Sequence, residues 1–151
     1  MRFKQPCFLL VTLLTILLIE VPLPAAAKDS CRISVETILA SRDGSGVDPQ
    51  LRQHIGELQS MFNYTAYRLL SSEVLNLREG QSGTVALPGS RQLTITPNKI
   101  QGSRADIAMQ MMKKRRPVFQ TQIQLLNNGS LFVGGPKYQN GNLIFKISGS
   151  Y

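Results

Sequence analysis

Tryptophan is absent from this 151-residue chain, histidine occurs once, and only nine residues are acidic. Each shortage excludes something. A catalytic base needs a nucleophile and an orienting group around it, and His54 has only Ser60 and Asp48 to be paired with, by arbitrary choice. A zinc site needs several His, Cys or carboxylate ligands at close spacing; Cys31 with His54 is not such a set. Asp43 and Asp48 flank the turn Asp43-Gly44-Ser45-Gly46, but the alternating acidic ligands and closing glutamate of a calcium loop are missing. The same glycines lack the lysine-serine pair and the G-x-G-x-x-G spacing of a phosphate loop. On these grounds no catalytic residue, metal or cofactor is expected, and the role expected is non-enzymatic.

Cysteine is nearly as scarce. Of the two, Cys7 lies in an apolar N-terminal run, which leaves Cys31. That run has a particular order. Arg2 and Lys4 precede a Leu-rich stretch from Cys7 to Ile19, followed by Pro22, Pro24 and Ala25-Ala26-Ala27. Charged head, short apolar middle and small-residue end describe a secretory signal. The middle falls short of the roughly 20 apolar residues that span a bilayer. The expectation is a cleaved signal over residues 1–27 and one domain over residues 28–151, exported to the periplasm or cell envelope. Lys28-Asp29-Ser30 ahead of Cys31 argue against a lipid-anchored cysteine. Cys31 therefore reads either as a thiol open to intermolecular pairing or as a small buried residue at a strand start.

With Arg2, Lys4 and Glu20 removed with the signal, 15 basic and 8 acidic residues remain, a net of +7. That sign favours anionic partners: lipid headgroups, lipopolysaccharide, acidic glycans or nucleic acid; for an exported chain the partner expected is an envelope protein or an anionic surface polymer or lipid. The sharpest local feature is Lys113-Lys114-Arg115-Arg116, ended by Pro117. Adjacent cations repel and prefer solvent, so the run is expected at a β-turn tip. It is the candidate anion- or partner-binding site, with membrane contact at most peripheral. Nucleic acid is disfavoured, because no aromatic residue interleaves the run to stack on bases.

The pattern of the rest is mostly strand. Ile33, Val35, Thr37 and Leu39 alternate within Arg32–Ser41. Asp48-Pro49 opens a helix reaching about Asn63, with Asp48 as cap and Pro49 in the first turn. Leu51, Ile55, Leu58 and Phe62 form its apolar stripe, His54 faces solvent, and Gly56 suggests tight packing. Further strands are expected over Tyr67–Leu77, Gly83–Leu87, Arg91–Thr96, Arg104–Met112, Val118–Leu126, Leu131–Val133 and Leu143–Ile147. Pro97-Asn98 and Gly134-Gly135-Pro136 are read as breaks, and Asn127-Asn128-Gly129 as a hairpin. Asn63-Tyr64-Thr65 and Asn128-Gly129-Ser130 match the glycosylation acceptor pattern but read as ordinary turn residues. The fold class is α+β: a mostly antiparallel sheet or sandwich with one amphipathic helix near the mature N-terminus. Its expected core is Val35, Leu39, Leu51, Ile55, Leu58, Phe62, Leu69, Leu93, Ile95, Ile107, Phe119, Ile123, Leu125, Phe132 and Phe145. Leu143, Phe145, Ile147 and Tyr151 share one parity, which also suits the closing strand of an outer-membrane β protein.

Gly80-Gln81-x-Gly83-x-Val85, then Leu93-x-Ile95-x-Pro97, Ile107, and the stretch from Thr121 through Asn127-Asn128-Gly129 to Gly134-Gly135, resemble the C-terminal β-region of secretins, the gated outer-membrane channels. Asn128 stands where that pattern has an acid, and Pro136 follows the double glycine. The resemblance implies a small envelope protein with a secretin-like hairpin fold, associated with secretion or pili. As a whole the chain is similar to small exported bacterial proteins, from which no activity carries over.

Overall fold

The computed structural model describes residues 30–151; the expected signal and its cleavage point lie outside the described residues. Alternation of apolar and polar residues produces strands here because successive side chains leave opposite faces. The strands are β1 (Ser30–Ser41), β2 (Gly46–Val47), β3 (Ala66–Arg78), β4 (Gly83–Leu87), β5 (Arg91–Gln101), β6 (Arg104–Lys113), β7 (Arg116–Leu126), β8 (Gly129–Tyr138) and β9 (Gly141–Ser150). They form a five-stranded sheet, ordered β2-β3-β1-β9-β8, and a four-stranded sheet, ordered β4-β5-β6-β7. Every pairing is antiparallel except β2 with β3. The sheets pack face to face through Ile33, Val35, Leu77, Phe145 and Ile147 on one side and Leu93, Ile95, Ile107, Met109 and Leu125 on the other. The fold is thus α+β and mostly antiparallel.

The five-stranded sheet is buried on its outer face too. Ile38, Ala40, Tyr67, Phe132 and Ile144 pack there against Leu51 and Leu58 of the helical segment. A β-bulge makes this possible. Thr37 pairs with Ser71 but Ile38 pairs with Leu69, so Leu70 is an extra residue in β3. The insertion reverses the parity of β3. Tyr67 and Leu69 join the helix-side core, whereas Leu75 and Leu77 join the inter-sheet core.

The expected helix is present but divided. Pro49–His54 is a 3-10 helix and α1 (Ile55–Met61) adds seven residues. So short a segment is held by packing rather than propensity. Asp48 does not cap it with its side chain; Asp48 Oδ2 instead accepts the Leu69 N–H at 2.7 Å. The Tyr67 hydroxyl donates to the Phe62 carbonyl at 2.7 Å, which ties the far end of the segment to β3. The 3-10 geometry also corrects His54. Residues three apart eclipse in such a turn, so His54 lies above Leu51. It is half-buried: its ring meets Phe132 edge-on, with centroids 5.9 Å apart, while its Nε2 lies 3.1 Å from the exposed Gln53 amide. Gly56 has open space around it, not tight packing.

Three expected interruptions are absorbed into the architecture. Pro97 lies inside β5, beside a register shift between Pro97 and Lys99, a position where proline is tolerated. Its carbonyl accepts the Gly80 N–H at 2.7 Å, fastening the Gly80-Gln81 turn. Gly134-Gly135-Pro136 does not break β8 but forms an irregularity between Gly134 and Lys137 on an edge strand. A Cβ on Gly135 would come within 2.6 Å of the Phe145 ring, so glycine is required by close approach. The Asn127-Asn128-Gly129 signal is not a hairpin, because β7 and β8 belong to different sheets. The turn carries the chain across the sandwich. Asn127 donates its N–H to the Ser103 carbonyl, and its side-chain oxygen accepts the Tyr151 N–H. The Tyr151 hydroxyl completes this closure by donating to the Leu125 carbonyl at 2.6 Å.

Among the described residues few polar groups are buried. Lys146 pairs with its cross-strand neighbour Glu36 at 3.2 Å. The hydroxyls of Thr37 and Ser71, opposite each other at the bulge, have no hydrogen-bond partner among the described residues. A buried hydroxyl without a partner costs free energy. In urea unfolding, Thr37→Val is therefore expected to leave stability unchanged or raise it by about 1 kcal/mol. Phe145→Ala should lower stability by roughly 3–5 kcal/mol.

Candidate functional site: a basic end of the sandwich

Lys113 and Arg116 are register partners at the close of the β6–β7 hairpin, and Lys114-Arg115 forms its two-residue tip. All four residues are exposed. The tip residues have φ of 47° and 64°. Positive φ at both central positions matches the strand twist in tight hairpins, and Asn-Gly or Asp-Gly usually supplies it. Residues with larger side chains pay roughly 1–2 kcal/mol there. Two long cationic side chains thus occupy a turn whose backbone favours glycine.

Other cations gather around this tip. Arg91 is the register partner of Lys113, so Arg91, Lys113 and Arg116 form one row across three strands. The Arg91 guanidinium donates to the Pro88 carbonyl at 3.2 Å and to the Lys137 carbonyl at 3.1 Å. It also lies 5.6 Å from the centre of the Tyr138 ring. Gly89 permits this clamp, because a Cβ there would stand 2.7 Å from the guanidinium. Arg91 thereby joins the ends of the two sheets. Tyr138 pairs with Gly141, and Gly141 with Ser41, so Lys137 and Arg42 lie at the same end. Arg42 stacks on Tyr64 at 5.9 Å. Among the described residues the one ion pair is Lys146 with Glu36, and none of these cations has a carboxylate within bridging distance.

Beside the tip runs a groove of roughly 580 Å³. Ala86, Leu87 and Met112 provide apolar lining, and Arg91, Lys114 and Arg115 provide charge. The arrangement suits an amphiphile with an anionic head, since apolar contact and charge lie side by side. The sequence pattern does not mark Arg91, Lys137 and Arg42 as one group. Arg91 had a signal: it follows the Pro88-Gly89-Ser90 turn and opens the strand preceding the Lys113 strand. Lys137 and Arg42 had none, being distant in sequence.

A second cleft at this end contains Asp43, Asp48, Arg68 and Asn140. Asp48 is already engaged by Leu69. No group of three His, Cys, Asp or Glu side chains stands close enough to hold a metal among the described residues.

Cys31 lies at the opposite end, paired with Leu77 in β3 and 3% exposed. Intermolecular pairing there requires the strand end to open first. Burial pushes its thiol pKa above the ordinary 9.0. Burial likewise raises Tyr67 and Tyr151 above 10.0, with the nearby Cys31 adding to the effect at Tyr151.

No protein-family model, curated protein or solved structure matches this chain.

Two outcomes follow. Replacing Lys114-Arg115 by Asn-Gly should raise stability by about 1–2 kcal/mol in urea unfolding while removing the tip charge. The second concerns alkali. A thiol held neutral in the fold binds its proton more tightly folded than unfolded, so its contribution is complete below the unfolded pKa and lost as pH rises. The thermal midpoint should fall as pH passes 9.0 and further past 10.0. Cys31→Ala should blunt the first part of that fall.

Proposed function

We propose that this is an exported, non-catalytic binding protein of the periplasm or cell envelope, whose basic end engages phosphate-bearing amphiphiles at a membrane surface. The observation that carries the reading is the apolar groove rimmed by Arg91, Lys114 and Arg115, cations without carboxylate partners among the described residues. A cation row without carboxylate partners attracts phosphate, Lys113 and Arg116 being exposed beside the clamped Arg91, and the groove beside it accepts part of an apolar chain. Each basic residue near an anionic surface contributes about 1 kcal/mol, and each buried methylene about 0.8 kcal/mol. The strain held in the Lys114-Arg115 turn supports the same reading, since conformations that cost free energy persist where function uses them. Export rests on the charged, apolar and small-residue order of residues 1–27. No helix among the described residues is long and apolar enough to cross a membrane; the mode proposed is contact through the basic end.

Co-sedimentation with vesicles tests this. The protein should bind vesicles containing phosphatidylglycerol, and phosphatidylcholine vesicles far less. Replacing Lys113, Lys114, Arg115 and Arg116 together by alanine should weaken binding at least tenfold, given about 1 kcal/mol per cation. Met112→Glu should weaken it further while leaving the fold intact by circular dichroism. Equal binding of wild type and the alanine variant, or no binding by either, overturns the proposal.

A further inference from the structure

The sandwich has four edges, and three carry features that deter pairing with another chain. The β2–β3 edge has a two-residue strand followed by the charged Arg68, Glu73 and Arg78 of β3. β8 has a register irregularity between Gly134 and Lys137, contains Pro136 and carries the charge of Lys137. β4 is five residues long and runs into Pro88. Short strands, charges, proline and bulges are the usual means of protecting an edge. β7 differs. It is eleven residues long, and after Arg116 and Pro117 it reads Val118-Phe119-Gln120-Thr121-Gln122-Ile123-Gln124-Leu125-Leu126 without charge, proline or glycine. Among the described residues four large hydrophobic side chains are exposed, and two lie on this strand: Val118 at 45% and Leu126 at 57%.

We propose that β7 pairs with β7 of a second copy, antiparallel and end to end, joining two four-stranded sheets into one of eight strands. The basic hairpin decides the orientation. A parallel pair would set two Lys113–Arg116 tips side by side. The antiparallel pair sends them to opposite ends, where even the two Arg116 residues are about ten residues or roughly 34 Å apart. In this register Thr121 lies on the two-fold axis. Gln120 stands opposite Gln122 of the partner subunit, where two amides can bond to each other. Val118 stands opposite Gln124 of the partner subunit. The exposed Leu126 meets the methylene stem of Arg116 of the partner subunit, an apolar stretch that covers it. Directly opposed side chains in such a pair lie about 4.5–5.5 Å apart, so charges introduced at 120 and 122 report the register.

Light scattering after size exclusion, on protein expressed from the full chain, tests the pairing. The wild type should run as a dimer. The double variant Gln120→Lys, Gln122→Lys places like charges opposite each other twice and should raise the dimer dissociation constant at least tenfold. The double variant Gln120→Lys, Gln122→Glu sets lysine opposite glutamate twice and should remain dimeric. It differs from the first only at position 122, so it controls for folding, and both should give wild-type circular dichroism. A monomeric wild type overturns the proposal. So does a dimer that survives the Lys-Lys pair, since another surface then holds it, and so does a folded Lys-Glu variant that is monomeric.

Discussion

The odd-numbered residues of β3 bury themselves toward the helical segment at Tyr67 and Leu69 and toward the opposite sheet at Leu75 and Leu77. A strand with strict period two cannot do both. The extra residue Leu70, inserted opposite the Thr37–Ile38 step, reverses the faces midway. The five-stranded sheet can then serve two cores, one shared with the four-stranded sheet and one under the short helical segment. The bulge leaves the hydroxyls of Thr37 and Ser71 buried without partners among the described residues. That cost is small beside the apolar surface that the second core removes from water.

Because the helical segment is tied to the strand it covers, its own propensity matters little. Asp48 bonds to Leu69 and Tyr67 bonds to Phe62, so both ends of the segment answer to β3. This accounts for a 3-10 helix where spacing suggested a continuous amphipathic α-helix, and for His54 lying against Phe132. The coarse expectation of a helix docked by Leu51 and Leu58 holds, because apolar burial is insensitive to a change in helical pitch over so few residues.

At the other level of organisation, two ends of the sandwich are closed differently. Tyr151 and Asn127 close one with neutral hydrogen bonds around Ser103 and Leu125. Arg91 closes the other by bridging Pro88, Lys137 and Tyr138. The second closure places a fixed cation beside the Lys113–Arg116 tip, so structure and charge accumulate at one place. The strained Lys114-Arg115 turn lies there as well. Local turn chemistry and charge are in conflict at that tip.

What could be read from sequence was local. Alternation located the strands: Gly83–Leu87 to the residue and the others mostly to within a few residues, although β5, β7, β8 and β9 run further than expected. It also placed most of the expected core, because burial of alternate residues is a property of each strand alone. The tetracationic run was legible as an exposed turn for the same reason. Local pattern does not encode which sheet a strand joins. Asn127-Asn128-Gly129 carries a hairpin's chemistry yet leads between sheets, and Pro97 and Pro136 carry a breaker's chemistry yet lie within strands beside register shifts. The parity change in β3, the meeting of Arg91, Lys137 and Arg42 with the tip, and the burial of Cys31 depend on contacts between residues far apart in the chain. Those contacts exist only once the sheets have packed.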